Sequence, residues 1–177
     1  MKLNKIMLAA AMVFGASSVA NAADQGHGKV TFSGSIIDAP CSITPESMDQ
    51  TVELGAISNV ALKGGGKSAP KNFQVKLDNC VIEESGKNSV KLTFSGAASD
   101  ANPELLALSG DAKGAGIVIT DSAGKPIKLG TATTAQSLGN GNNTLSFSAY
   151  LQGSTASGAT IVPGEFQSVA DFTLAYQ

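Results

Sequence analysis

Short runs of alternating apolar and polar residues, separated by turn-forming residues, dominate this sequence from residue 29 onward. A period of two is typical of β-strands that bury one face, and helical spacing is scarce. The pattern predicts strands at Lys29–Ile37, Asn72–Leu77, Val90–Phe94, Gly116–Thr120, Pro126–Leu129, Thr144–Leu151 and Phe166–Tyr176, with a weaker run at Thr51–Leu54. About seven short strands joined by turns indicate an all-β sandwich or barrel in one domain.

Turn and loop residues fill the intervals between these runs. Asp121–Gly124 is predicted to be a tight turn between two strands. Loops are predicted at Lys63–Ser68, Ser137–Asn143 and Thr155–Thr160. Glu104–Leu108 is predicted to be a loop or a short 3₁₀-helix, since it is the one segment where a helical turn fits.

The last fourteen residues contain the clearest strand. Apolar side chains take its even positions, namely Phe166, Ala170, Phe172, Leu174 and Tyr176. Ser168 and Val169 fall out of step, which predicts an irregularity near the middle. Because no residues follow this strand in the sequence to cover its flank, we expect it to lack a neighbour on one side. A bare apolar strand edge is a site for pairing with another chain, so we expect the missing neighbour to come from elsewhere.

The first 22 residues have the pattern of an export signal. Lys2 and Lys5 precede an apolar run, and Ala20-Asn21-Ala22 is an A-x-A cleavage site. The alternative is an amphipathic helix of the mature protein. Removal of 22 of the 177 residues leaves 155, with 10 lysines against 14 acidic residues.

The composition excludes several functional classes. A nucleic-acid binder needs a basic face rich in Lys and Arg, and this chain is acidic and has no arginine. Arginine is also the usual residue for gripping phosphate or carboxylate groups. His27 is the single histidine, so there is no catalytic triad or metal cluster and we predict neither an enzyme nor a cofactor. With Asp24, His27 fits either a stray metal ion or, as we interpret it, a solvated arm.

Cys41 and Cys80 are the only cysteines. An even count in an exported protein predicts a disulfide, with two free thiols as the alternative. A bridge closing a loop of this length stabilises a fold by roughly 4 kcal/mol in the chain-entropy model. The bridge would tie together the ends of the first two strands, unlike the usual inter-sheet bridge of an immunoglobulin domain.

The segment before Cys41 has the alternating pattern of a strand, but the sequence does not show which strand it pairs with. Val30, Phe32, Gly34 and Ile36 share one face. Gly34 weakens a strand unless something must approach closely. The arm either folds back as the first strand of its own domain or fills the gap beside the last strand of another copy.

These residues resemble the major structural subunits of chaperone–usher fimbriae, of the P-pilus and mannose-resistant type. The likeness spans the mature chain and includes the arm 28–43, LDNC at 77–80, the segments 114–130 and 147–153, and the end 162–177. Two end features match the family in particular: Gly164 is fourteenth from the C-terminus, and Tyr176 is penultimate.

The resemblance implies an incomplete immunoglobulin-like sandwich that lacks its final strand and is completed by a donor strand. It implies a leader at 1–22, a donor arm at 23–37 and a domain at 38–177. The donor residues would be Val30, Phe32, Gly34 and Ile36. The acceptor groove and chaperone contact would comprise Gly164, Phe166, Ala170, Phe172, Leu174, Tyr176 and Gln177.

The implied function is that of a structural subunit of a surface fimbria, polymerised head to tail and supporting adhesion. The implied partners are further copies of the chain, a periplasmic chaperone, an outer-membrane usher, and minor and tip subunits, with export through the periplasm. The alternative is a minor adaptor or adhesin-like subunit, that is, a secreted binding module. A chain of this size leaves no room for the extra receptor domain of a tip adhesin.

Overall fold

The computed structural model describes residues 26–83, 86–100 and 102–177. The predicted leader, residues 1–22, lies outside this range. The chain divides into two units, one ending at Ile36 and one spanning Ile37–Gln177. Residues 26–36 of the first unit carry no helix or strand, so the predicted strand at Lys29–Ile37 is not formed in the single chain.

The second unit is built almost wholly from strands, as the alternation predicts. In chain order its described elements are β1 (Ser42–Ile43), α1 (Pro45–Met48), a 3₁₀-helix (Asn59–Gly65), β2 (Lys71–Cys80), β3 (Ser89–Gly96), β4 (Ala98–Ser99), β5 (Asn102–Leu106), β6 (Ser109–Gly110), β7 (Ala115–Thr120), β8 (Pro126–Ile127), β9 (Gln136–Ser137), β10 (Gly141–Gly153), β11 (Phe166–Gln167) and β12 (Ala170–Tyr176).

The strands form three antiparallel sheets. The largest has the order β1-β2-β10-β7-β5-β4, with β8 paired to β7. A second sheet has the order β12-β3-β9, and β11 pairs with β6. Strand β10 is the centre of the large sheet because it pairs with β2 on one side and with β7 on the other.

The hydrophobic core consists of the inward residues of β2, β3 and β10. Alternate residues of β3 are almost fully buried, with Val90 and Leu92 at 0% exposure and Phe94 at 3%. They pack with Val75, Leu77, Leu145 and Phe147 in one cluster. Burial of each such side chain favours folding by about 1.5–3 kcal/mol.

A disulfide joins Cys41 to Cys80, with 4.1 Å between the Cα atoms. Both cysteines are buried. The bridge lies between the start of β1 and the end of β2, which are neighbours in one sheet. The prediction of a disulfide between Cys41 and Cys80 is confirmed, and the alternative of free thiols is wrong. The strand at the Cys41 end is β1 and not the predicted Lys29–Ile37, which is not formed.

Several local predictions need correction. Glu104–Leu108 begins within β5, because Leu106 pairs with Ile117 of the large sheet. The predicted loop Lys63–Ser68 starts inside a 3₁₀-helix that packs against the end of β10. A Cβ at Gly66 or at Gly153 would collide with the main chain of residues 61–62, so glycine is needed at both places. The turn at Asp121–Gly124 is confirmed: the Gly124 N–H donates to the Asp121 carbonyl at 2.9 Å.

Candidate functional site: the free edge of the C-terminal strand

Strand β12 has a neighbour on one flank. It pairs along its whole length with β3, so that Phe172 lies opposite Phe94 and Leu174 opposite Leu92. On the other flank, no described strand pairs with it. The sheet β12-β3-β9 therefore ends at β12, as the apolar C-terminal pattern predicts.

The main-chain groups that face the free flank follow from the hydrogen bonds at the end of the ladder. Ser89 and Gln177 exchange two bonds, N–H to C=O, at 3.1 and 3.0 Å. In an antiparallel pair the residues that point toward the partner alternate with those that point away. Every second residue from Gln177 therefore faces β3. The outward N–H and C=O groups belong to Ala170, Phe172, Leu174 and Tyr176, and they have no partner among the described residues.

The same four residues carry the apolar face of the strand. Each is half-buried, whereas the intervening residues are exposed. Their burial is also incomplete compared with β3, whose inward side chains are at most 3% exposed. These four residues therefore have both outward main-chain groups left unpaired by the described residues and incompletely buried apolar side chains.

An aromatic cluster ends at this edge. The rings of Phe94 and Phe147 meet edge to face with centroids 5.2 Å apart, and Phe73 lies 5.6 Å from Phe147. Phe172 is the outermost ring, 6.4 Å from Phe94. Aromatic pairs in this range add favourable contact energy beyond buried area. Phe172 extends the cluster to the free flank and remains half-exposed.

Tyr176 ends the strand with an unusual environment. Its hydroxyl is buried and has no hydrogen-bond partner among the described residues. Burial raises the pKa of Tyr176 above its ordinary value of 10.0, because the charged phenolate is poorly solvated there.

The approach to β12 is fixed by a close main-chain crossing. The N–H groups of Asp111 and Ala112 both donate to the Glu165 carbonyl, at 3.0 and 3.2 Å. A Cβ on Gly164 would lie 2.7 Å from the Ala112 nitrogen. No other residue than glycine fits at position 164 without a shift of this main chain.

Comparison with known proteins identifies the family to which a chain with this fold and free strand edge belongs. Residues 30–177 match the fimbrial protein family. The chain belongs to this family. It is 68% identical over 177 residues to the fimbria A protein of Serratia marcescens, with 100% of both chains covered.

Two solved structures share the fold. The subunit in a structure of a chaperone–usher pilus is 37% identical, with a TM-score of 0.76 over 86% of this chain and 97% of that one. The P pilus rod subunit PapA is 34% identical, with a TM-score of 0.70 over 78% of this chain and 100% of that one. The fold is therefore the immunoglobulin-like sandwich of pilus rod subunits, which lacks one strand.

Membership in the family settles the broad function. The chain is a structural, non-enzymatic pilin that passes through the periplasm to a surface fimbria. Pilin subunits of chaperone–usher pili polymerise with other pilin subunits. Adhesion is general to fimbriae. The resemblance noted in the sequence to P-pilus major subunits is confirmed.

The structure places the predicted acceptor residues in two groups. Ala170, Phe172, Leu174 and Tyr176 lie on β12, and Gln177 closes the ladder to β3. Phe166 lies on β11, which pairs with β6 instead, and Gly164 lies at the crossing just before it. The predicted irregularity at Ser168 and Val169 is confirmed, because the chain changes sheets there.

The predicted donor residues lie in the first unit. Val30, Phe32 and Ile36 are 75%, 91% and 105% exposed. A Cβ on Gly34 would meet no atom within 4 Å. Three large apolar side chains are thus held in solvent by this single chain, which is unfavourable unless a partner covers them.

The weak strand predicted at Thr51–Leu54 is not formed. Residues 51–58 belong to no described ladder, yet Val52, Leu54 and Ile57 are half-buried between exposed neighbours. The alternation in this segment therefore reflects the burial of one face without strand pairing.

No alternative chemistry emerges from the described part of the chain. Within it, no group of three or more His, Cys, Asp or Glu side chains is placed to hold a metal ion. Across the same residues, no helix has the length and apolar character needed to cross a membrane.

Proposed function

We propose that this pilin polymerises by donor-strand exchange, in which the arm of one copy adds as a strand to the free edge of β12 in the next copy. The observation that carries the proposal is the coincidence on β12 of outward main-chain groups and half-buried apolar side chains. One added strand would complete both at once.

The arm has the chemistry that this edge requires. Val30, Phe32 and Ile36 are exposed and alternate with polar residues, so one face of an extended arm would enter the groove. Burial of these three side chains would stabilise the link by about 1.5–3 kcal/mol each. Gly34, between them, would let the exchange proceed stepwise, as in the family.

We infer the corresponding organisation of the chain. Residues 1–22 are a cleaved leader, 23–37 the donor arm and 38–177 the acceptor domain. The acceptor groove comprises Gly164, Phe166, Ala170, Phe172, Leu174, Tyr176 and Gln177. A link from the arm of one copy to the groove of another is head to tail, and it generates an open filament.

The proposal also specifies partners. An empty groove exposes an apolar edge that would aggregate, so a periplasmic chaperone covers it until assembly. An outer-membrane usher is the place of exchange, and minor and tip subunits join the ends of the filament through the same kind of link.

Deletion of Ala23–Ile36 from the mature chain tests the donor role. The chaperone-bound subunit should still accumulate in the periplasm, because the groove is intact, but no fibres should appear in electron micrographs of shear-released surface protein. Fibres at normal yield would contradict the proposal.

A pair of substitutions tests the facing of the arm. Gly34→Asn should prevent polymerisation, because a polar side chain then points into the groove. Ser33→Asn is the matched control on the opposite face and should leave fibre length unchanged. Electron micrographs of shear-released surface protein, which give the yield and length of fibres, provide the measurement, and equal behaviour of the two variants would refute the assigned facing.

A further inference from the structure

Strand β2 has an edge on the side away from β10. Strand β1 covers only one end of it, pairing Ser42 with Asp78 and Ile43 with Leu77. The Thr44 N–H then donates to the Lys76 carbonyl at 3.0 Å, so Lys76 faces this edge. By the alternation of an antiparallel ladder, the main-chain groups of Gln74 and Asn72 face it as well.

The chain leaves this edge where a longer β1 would have continued along it. The register would place residue 46 opposite Gln74 and residue 48 opposite Asn72. Instead Pro45 begins α1, and the N–H groups of Ser47 and Met48 turn back to the Thr44 carbonyl at 2.9 and 3.2 Å.

Two side chains replace the missing strand. The Ser47 hydroxyl accepts the Lys76 N–H at 2.9 Å, and Ser47 is only 3% exposed. The Gln50 Nε2 donates to the Gln74 carbonyl at 3.2 Å. The Thr44 hydroxyl also donates to the Ser47 hydroxyl at 3.1 Å, which fixes the orientation of Ser47. Polar side chains therefore occupy the central part of the edge.

Beyond them lies an open cavity of about 310 Å³, lined by Glu46, Gln50, Asn72, Lys76 and others. The N–H of Gln74 and both main-chain groups of Asn72 have no hydrogen-bond partner among the described residues. These remaining groups, on a strand with an apolar inner face, are what an extended peptide would pair with if the edge were open.

We propose that Ser47 and Gln50 close the β2 edge against strand addition, so that the arm of another copy pairs with β12 only. They are thus specificity-determining residues for donor-strand exchange. This inference rests on the proposed function, because it concerns where the incoming arm can pair. An added strand would have to bind the main-chain groups of β2 that Ser47 and Gln50 already bind. The charged Glu46 and Lys76 side chains at the cavity are also better solvated by water than by a bound peptide.

The test uses the full mature chain, released from filaments by denaturant and then diluted to refold. Gln50→Ala should form thioflavin-binding aggregates about fivefold faster than wild type. The reason is that loss of one net hydrogen bond raises the population of chains with a free Gln74 carbonyl by about this factor. Gln74→Ala is the matched control, since it removes an exposed glutamine side chain that makes no bond and leaves the Gln74 carbonyl bonded to Gln50. Urea unfolding checks that both variants remain equally stable.

Amide hydrogen exchange identifies the edge that pairs. In the Gln50→Ala aggregate, the amides of Asn72 and Gln74 should exchange at least fivefold more slowly than in the soluble chain. The double variant Ser47→Ala, Gln50→Ala should aggregate faster still. The test is nevertheless decided by the single variant Gln50→Ala, because Gln50 is exposed and its replacement does not disturb the core. Equal aggregation of Gln50→Ala and Gln74→Ala, or aggregates in which amides 72 and 74 exchange freely, would overturn the inference.

The deletion of Ala23–Ile36 separates this inference from the proposed function. If the chain without Ala23–Ile36 still gives surface fibres at normal yield, donor-strand exchange fails, and the comparison of Gln50→Ala with Gln74→Ala still decides whether the β2 edge is closed. If filaments form normally and the two variants aggregate alike, only the closure of the β2 edge is wrong.

Discussion

Along β12, the residues whose main-chain groups face away from β3 also carry the half-buried apolar side chains. Along β2, the Gln74 carbonyl and both outward main-chain groups of Lys76 bind Gln50, Ser47 and Thr44 of the same chain. Both strands are long, alternate regularly and have an apolar inner face. The difference is that residues of the same chain occupy the central part of the β2 edge, whereas no described residue binds the outward main-chain groups of β12.

This contrast shows how a filament subunit avoids random association. An exposed strand edge pairs with any extended chain unless its main-chain groups are occupied or hidden. A chain with two open edges would branch and aggregate, whereas one open edge and one arm give a linear, head-to-tail polymer. The closed edge is therefore as important for a filament as the open one.

The largest expected effect comes from the aromatic cluster that ends at β12. Phe94→Ala should lower the free energy of unfolding by about 3–5 kcal/mol, because Phe94 is almost fully buried among three other rings. Phe172→Ala should cost about half as much in the purified mature chain, since Phe172 is half-exposed. Urea unfolding followed by tyrosine fluorescence measures both.

Filaments sharpen this comparison. If an arm covers Phe172, detergent dissociation of Phe172→Ala filaments should occur at a temperature as low as that of Phe94→Ala filaments. A Phe172→Ala filament as heat-resistant as wild type would mean that nothing covers this ring.

Loss of the disulfide should have the next largest effect, and it acts at the β2 edge. Replacement of Cys41 and Cys80 by serine should cost about 2–4 kcal/mol, because the bridge restricts the unfolded chain and holds β1 against β2. Urea unfolding with and without a reductant checks the value. Wild type under reducing conditions serves as the control and should match the double variant.

The sequence predicts the long strands β2, β3, β7, β10 and β12 because alternation or an apolar run records which faces of a strand are buried. Val90, Leu92 and Phe94 of β3 have the same pattern as the even residues of β12. Alternation does not record neighbours, so it cannot tell that β3 is flanked on both sides while β12 is flanked on one.

Other features depend on contacts between distant segments. Leu106 joins a strand through its pairing with Ile117, a contact that a local helical pattern at 104–108 does not reveal. The role of Ser47 depends on the Lys76 N–H, 29 residues away. A polar residue in a one-turn helix gives no signal of this kind, so the closed edge of β2 could not be predicted.

A smaller effect is expected from the crossing that leads into β12. Gly164→Ala should cost about 1–3 kcal/mol, because the new Cβ would overlap the main chain at Asp111 and Ala112. Gly34→Ala, whose surroundings are open, is the control and should leave the free energy of unfolding unchanged. Equal urea midpoints for the two variants would show that the crossing relaxes without cost.

The smallest effect is expected at the end of β12, where Tyr176→Phe removes only a hydroxyl. Because this hydroxyl is buried without a partner, its removal should raise the free energy of unfolding by up to about 1 kcal/mol.

The raised pKa of Tyr176 predicts a second, pH-dependent effect of the same substitution. The folded chain favours the neutral phenol, so this contribution is complete below pH 10.0 and is lost as the pH rises from 10.0 through the raised pKa. Tyr176→Phe should therefore lose less stability than wild type in that alkaline range, as urea unfolding at a series of pH values would measure. If the two chains lose stability in parallel, the Tyr176 hydroxyl is solvated, and the free edge of β12 is wetter at this end than its burial indicates.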